Sequence, residues 1–163
     1  MAVRLEQVAP DHGLAVASAG VAATGGLVPA EVDEVARDLG VDLRAHRSRQ
    51  LDPDEATAAS LVVGMTREHV REVALAVPGT FPRTFTLREL VRRAGVLGGR
   101  RRDESLEDWV ARLGQDRRAA DLLGSSPDDD VADPYGGPRR AYAEMATTLD
   151  GLLTALAPAV AGR

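Results

Sequence analysis

Five consecutive residues, Asp133-Pro134-Tyr135-Gly136-Gly137, set a carboxyl and a phenol into a run of turn formers. A carboxyl in a mobile, partly shielded loop can donate and recover a proton, and a tyrosine ring can wall an aromatic substrate. Taken alone, the run reads as an Asp-Pro turn with a half-buried tyrosine. Three more segments carry polar groups of interest: Ser18-Ala19-Gly20, His46-Arg47-Ser48-Arg49-Gln50-Leu51, and Leu61 to Thr66 leading into Arg67-Glu68-His69. Singly, His46 and Arg49 read as members of a solvated loop. His12 and His69 lack partners at metal-like spacing and read as ordinary surface residues. None of the 163 residues is a cysteine, which excludes disulfides, thiolate metal sites and a cysteine nucleophile within this chain.

The elements that must position these groups can be read from periodicity and punctuation. Val3, Leu5 and Val8 suit a short helix that begins almost at the first residue, and Leu14 to Ala17 reads as a short buried strand. Val32, Val35, Ala36 and Leu39 repeat at helical spacing between Pro29 and a stop at Gly40. Asp52-Pro53-Asp54-Glu55 opens a short helix to about residue 59, Leu61 to Met65 is a buried strand, and Thr66 caps a helix that Pro78-Gly79 ends. Phe81 to Leu87 favours a strand, Leu87 to Ala94 a helix ended by Gly95, and Ser105 opens a helix with Leu106, Trp109, Val110 and Leu113 on one side. Gly98 to Arg102 reads as a surface loop, residues 125–138 as a loop, and the chain from Pro138 as a long final helix facing a core with Tyr142, Met145, Leu149, Leu152 and Leu156. Helices alternating with short apolar strands predict an α/β fold with a parallel sheet, and the length predicts one domain, 1–163.

Composition sets the outer bounds. The hydrophobic fraction is 44%, the charged fraction 28% and the aromatic fraction 3%, so the core must be built from Leu, Val and Ala. A net charge of -5 with both signs interspersed suggests neither a nucleic-acid nor a membrane surface. No run approaches a membrane span and no leader pattern opens the chain, which makes the cytoplasm the expected compartment.

In order and in type, the four segments together resemble the low molecular weight protein tyrosine phosphatases, over nearly the whole chain. The Asp-Pro-Tyr signature is the most specific of them. The resemblance implies a three-layer sandwich with a short parallel sheet flanked by helices. It implies Asp133 as the general acid that protonates the leaving phenolate and then helps activate water, and Tyr135 as the wall beside the substrate ring. It also implies Ser18, His46 and Arg49 as supports of the phosphate-binding loop. It calls for a phosphotyrosine protein as substrate, no cofactor and no metal, and says nothing of oligomeric state.

The family's reaction rests on a loop near the N-terminus, a cysteine followed six positions later by an arginine and then Ser-Pro. There, backbone N–H groups and a helix dipole cradle phosphate and lower the thiol pKa. Met1-Ala2 looks like the pair that follows that Ser-Pro, with Val3 where the family commonly has Glu. The expectation is a chain that begins just after the active site, set at an internal methionine of an active cytoplasmic parent and inactive as it stands. An inner strand of the sheet would be missing too, each stranded backbone group costing about 1–3 kcal/mol. Two other readings compete: a noncatalytic binding module that uses the Tyr135 wall, and a relative of the arsenate reductases, which depend on further cysteines that this chain lacks.

Overall fold

The computed structural model describes residues 14–20, 30–44 and 46–162. The helix expected over residues 2–8 and His12 lie outside them. The chain forms two compact units, one of residues up to 51 together with 132–154, the other of 52–131 together with the C-terminal residues from 155.

In the first unit, Leu14 to Ala19 run without regular structure and only Gly20 makes a parallel bridge, to Gln50. This corrects the strand expected at Leu14 to Ala17. An apolar run becomes a strand only where a neighbouring backbone pairs with it, and here the paired residue is Gly20. Helix α1, Ala30–Asp38, follows the apolar spacing, burying Val35 and Ala36, and turns out at Leu39-Gly40 as expected.

The second unit holds the sheet. Asp52 caps α2, Pro53–Ala58, by accepting from Asp54 N at 2.9 Å. Strand β1, Val62–Gly64, pairs in parallel with β2, Thr84–Thr86, in the register Val62 to Thr84 and Gly64 to Thr86. Helix α3, Arg67–Ala76, connects the strands and packs on both, and Thr66 Oγ1 caps it by accepting from His69 N at 3.3 Å. The expected strand from Phe81 starts three residues late. Pro82 has no N–H for a ladder, and Phe81–Arg83 form one 3-10 turn instead.

Thr86 caps α4, Leu87–Leu97, through Glu89 N at 3.1 Å. Gly95 does not end this helix, as the sequence had suggested. It sits exposed inside it, and the stop is Gly98, whose φ of +88° is open to glycine. Helix α5, Leu106–Leu113, is capped by Ser105 and buries Trp109, Val110 and Leu113 against a core of Val70, Phe85 and Leu90. Three buried threonines keep their hydroxyls satisfied within this core: Thr80 donates to Val77 O, Thr84 to Thr80 O, and Thr86 accepts from Glu89 N. A final helix α6, Arg139–Ala161, runs from one unit into the other, with Tyr142, Leu153 and Leu156 buried.

The stretch from Gly98 to Asp130 proves to be built into the second unit by arginine side chains. Arg100, half-buried, donates its backbone N–H and its guanidinium to Ala159, Val160 and Ala161 carbonyls. Arg112 joins the Leu97 and Gly99 carbonyls to Glu104, and Trp109 Nε1 donates to Gly98 O at 3.1 Å. So Gly98 to Arg102 is tied down at both ends, where composition had suggested only a surface loop.

Candidate active site

The five candidate groups belong to segments whose backbones are paired or tightly turned, all in the first unit. Gly20 N donates to Arg49 O and Leu51 N donates to Gly20 O, both at 2.9 Å, which lays Ser18-Ala19-Gly20 alongside the end of the His46 to Leu51 segment. Ser18 is exposed, while His46 and Arg49 are half-buried. His46 enters this segment from a turn in which its N–H donates to Leu43 O at 2.9 Å, and Arg47 fixes the turn by donating to the Arg44 and His46 carbonyls. Asp42, before the turn, is held well below the usual carboxylate range by side-chain and backbone hydrogen bonds from Arg44. Both partners stand in water, so the pair shapes the turn and adds little stability.

The Asp133 run forms a compact turn of its own. Asp133 Oδ1 accepts from Tyr135 N at 3.0 Å, an Asx turn, and Gly137 N donates to Pro134 O at 2.7 Å. Gly136 sits at φ +72°, and its N–H donates to the Tyr142 hydroxyl at 3.2 Å. Tyr142 was legible as a core residue of α6. Its second task, holding the Asp133 turn, had one signal: a phenol with a polar tip where Phe would serve a purely apolar face. At the start of α6, Arg139 pairs with Asp38 at 2.8 Å and Glu34 at 3.4 Å on α1.

The outcome is an exposed carboxyl beside a phenol that is 85% exposed, on one turn anchored by a buried tyrosine. Asp133 can exchange protons with a group brought to that surface, and the Tyr135 ring is free to lie against one. The bonds that shape this turn come from Tyr135, Gly137 and Tyr142, and the backbone pairing of Gly20 with Arg49 and Leu51 and the Arg47 side chain help to shape the Ser18 and His46 segments.

His69 corrects a sequence reading. It is half-buried, and its Nδ1 accepts from Met65 N at 3.2 Å, closing the turn from β1 into α3. Gly64 makes room for it: a Cβ there would stand 2.9 Å from His69 Cβ. The role is structural and carried no periodic signal.

A short parallel sheet with a helical crossover and capped helices defines an α/β architecture. The family model of the low molecular weight phosphotyrosine protein phosphatases matches residues 2–97, and the chain belongs to this family. A protein-arginine-phosphatase of Geobacillus stearothermophilus is 29% identical over 146 residues, 89% of this chain and 76% of the relative. Among solved structures, the YwlE arginine phosphatase from Geobacillus stearothermophilus is 27% identical with a TM-score of 0.68, over 96% of this chain and 80% of that one. The Erwinia amylovora tyrosine phosphatase AmsI superposes with a TM-score of 0.70 at 20% identity, over 98% of this chain and 82% of that one, a likeness of fold alone. Among the described residues, no helix is long and apolar enough to cross a membrane.

Proposed function

We propose that this chain is the body of a phosphoprotein phosphatase that hydrolyses phosphotyrosine when joined to a nucleophilic cysteine loop, and that the 163 residues by themselves do not turn over substrate. The supporting observation is the Asp133 turn, which offers a proton donor and an aromatic wall side by side in a chain of this family that contains no thiol. In the reaction, a thiolate attacks phosphorus, the S–P bond forms as the P–O bond breaks, and the Asp133 carboxyl gives its proton to the leaving phenolate oxygen. The Asp133 carboxylate then takes a proton from the water that attacks the phosphocysteine, releasing phosphate and returning the thiolate. Tyr135 lies against the substrate ring. Ser18, His46 and Arg49 steady the phosphate-binding loop, an assignment supported by the pairing of Gly20 with Arg49 and Leu51.

The test is turnover of an aryl phosphate by two proteins: the 163-residue chain, and a version with the residues encoded upstream restored. No turnover by the first and turnover by the second is expected, with Asp133→Asn in the second lowering kcat by about 10²–10⁴-fold. Turnover by the 163-residue chain, or an upstream frame without a cysteine and an arginine at the required spacing, refutes the reading. Binding of a phosphotyrosine peptide that Tyr135→Ala abolishes would favour the noncatalytic module instead. A second substrate is favoured by one observation, the protein-arginine-phosphatase among the relatives. Faster turnover of a phosphoarginine than of a phosphotyrosine peptide by the restored enzyme would move the assignment to that substrate.

A further inference from the structure

Five arginines line one polar cleft of about 190 Å³ in the second unit: Arg67 from α3, Arg92 and Arg93 from α4, and Arg117 and Arg118 from the loop after α5. The acids of the cleft offset their charges only in part. Asp129, nearly buried, is one carboxylate shared by two guanidiniums, Arg67 at 2.8 Å and Arg92 at 2.7 Å. Burial pushes this carboxyl up, but the hydrogen bonds from Arg92 and Arg67 outweigh burial and hold it below its ordinary value, so it stays ionised and one positive charge is left over. Glu89 and Arg117 cancel as a buried pair, with Arg117 also lying over the Phe85 ring at 4.1 Å. Arg93 donates to the Leu113 and Gln115 carbonyls, which orient it without neutralising it. Arg118, exposed at the lip, makes no side-chain hydrogen bond or ion pair among the described residues.

Asp116 and Asp121, also at the exposed lip, bring the five arginines and four acids to a surplus of one positive charge over the whole cleft. The two acids at the lip stand in water, where screening weakens them. The loop is bent to reach this arrangement. Asp116 has φ 61°, the only positive φ among described residues other than glycine, and the turn there aims the Gln115 carbonyl at Arg93 and the Arg117 side chain into the floor. Arg92, Arg93 and Arg118 all line the cleft, and among the described residues Nε of Arg92, Nη1 of Arg93 and the guanidinium of Arg118 carry no hydrogen bond.

We propose that this cleft binds a phosphoryl oxyanion, either inorganic phosphate or the phosphate of a modified protein side chain, with Arg92, Arg93 and Arg118 as its contacts. Arg118 offers a whole planar fork to a tetrahedral oxyanion, and Arg92 and Arg93, each with one nitrogen to add and already held by carbonyls and Asp129, lose little freedom on binding. The site uses neither Asp133 nor Tyr135, which belong to the other unit, so it stands or falls apart from the phosphatase reading.

The test is calorimetric titration of the full 163-residue chain with inorganic phosphate, and separately with a phosphoserine peptide, which offers Tyr135 no aromatic ring, both at constant ionic strength set by sodium chloride. Saturable binding by phosphate is expected, weakened about tenfold by Arg118→Gln and by Arg93→Gln and unchanged by Arg139→Gln on the first unit. Arg118 has no structural bond to lose, so its substitution separates binding from folding. Peptide binding tighter than phosphate assigns the site to a phosphorylated protein, and the reverse assigns it to the free anion. Absence of saturable binding by either, or binding that Arg118→Gln and Arg93→Gln leave intact, overturns the proposal.

Discussion

Asp129→Asn should destabilise the second unit by about 2–3 kcal/mol at neutral pH. The carboxylate is 4% exposed and accepts from Arg67 Nε and Nη2 at 2.8 Å and from Arg92 Nη2 at 2.7 Å. Removing one partner of a buried ion pair costs about 3–5 kcal/mol when the remaining charge is trapped. Here the cost falls at or below the lower end. Arg92 is half exposed and can rehydrate, Arg67 keeps the Leu123 carbonyl, and the amide oxygen of Asn still accepts one bond.

At about 2–4 °C per kcal/mol for a chain of this size, the melting temperature should fall by roughly 4–12 °C. The pH dependence is the sharper signature. The folded-state pKa of Asp129 is depressed below 3.8, so its contribution is present above that value and lost as pH falls through the folded pKa. The gap between the two proteins should therefore close on acidification. Urea midpoints at pH 7 and near pH 3, followed by fluorescence of the single, buried Trp109 in the same unit, measure it. A gap under 1 kcal/mol at pH 7, or one that persists unchanged in acid, refutes the reasoning.

Two further outcomes follow from the same geometry. Gly64→Ala should cost about 1–3 kcal/mol, because the new methyl meets His69 Cβ at 2.9 Å and the cap on Met65 N must shift; chemical denaturation of the variant measures it. Hydrogen bonds from Arg112 lower Glu104 to about 2 from 4.5, so Glu104→Gln should lose stability relative to the parent above pH 4.5 and match it near pH 2, as acid melting curves of both will report.

How far the sequence carried depends on which kind of bond makes each element. Helix α1 was legible because Val32, Val35, Ala36 and Leu39 recur at one spacing, and Asp52, Thr66 and Ser105 were legible as caps because a short oxygen before a helix has one geometric use. Leu14 to Ala17 misled because a strand is a property of two segments, and the apolar run does not reveal where its partner starts. Gly95 misled because a glycine within a helix and one after it look alike until the backbone angle is seen. The Asp133 turn was legible as a motif, and its anchor on the Tyr142 hydroxyl was not, since that contact depends on how α6 presents its first turn. Residues 98–130 were the least legible. Their order comes from arginines reaching carbonyls 13 to 61 positions away, and no periodicity encodes such bonds.

Those arginine-to-carbonyl ties give the second unit an unusual relation to alkali. Arg71 holds the Leu122 and Gly124 carbonyls, Arg112 those of Leu97 and Gly99, and Arg117 those of Phe81 and Thr84. The chain contains no lysine, so every such tie is a guanidinium, which keeps its proton far above the range where an ammonium would lose it. The loops of this unit are thus fastened by groups that high pH does not discharge. Replacing any of them with lysine would exchange a rigid fork spanning two carbonyls for a single point of attachment that base can switch off.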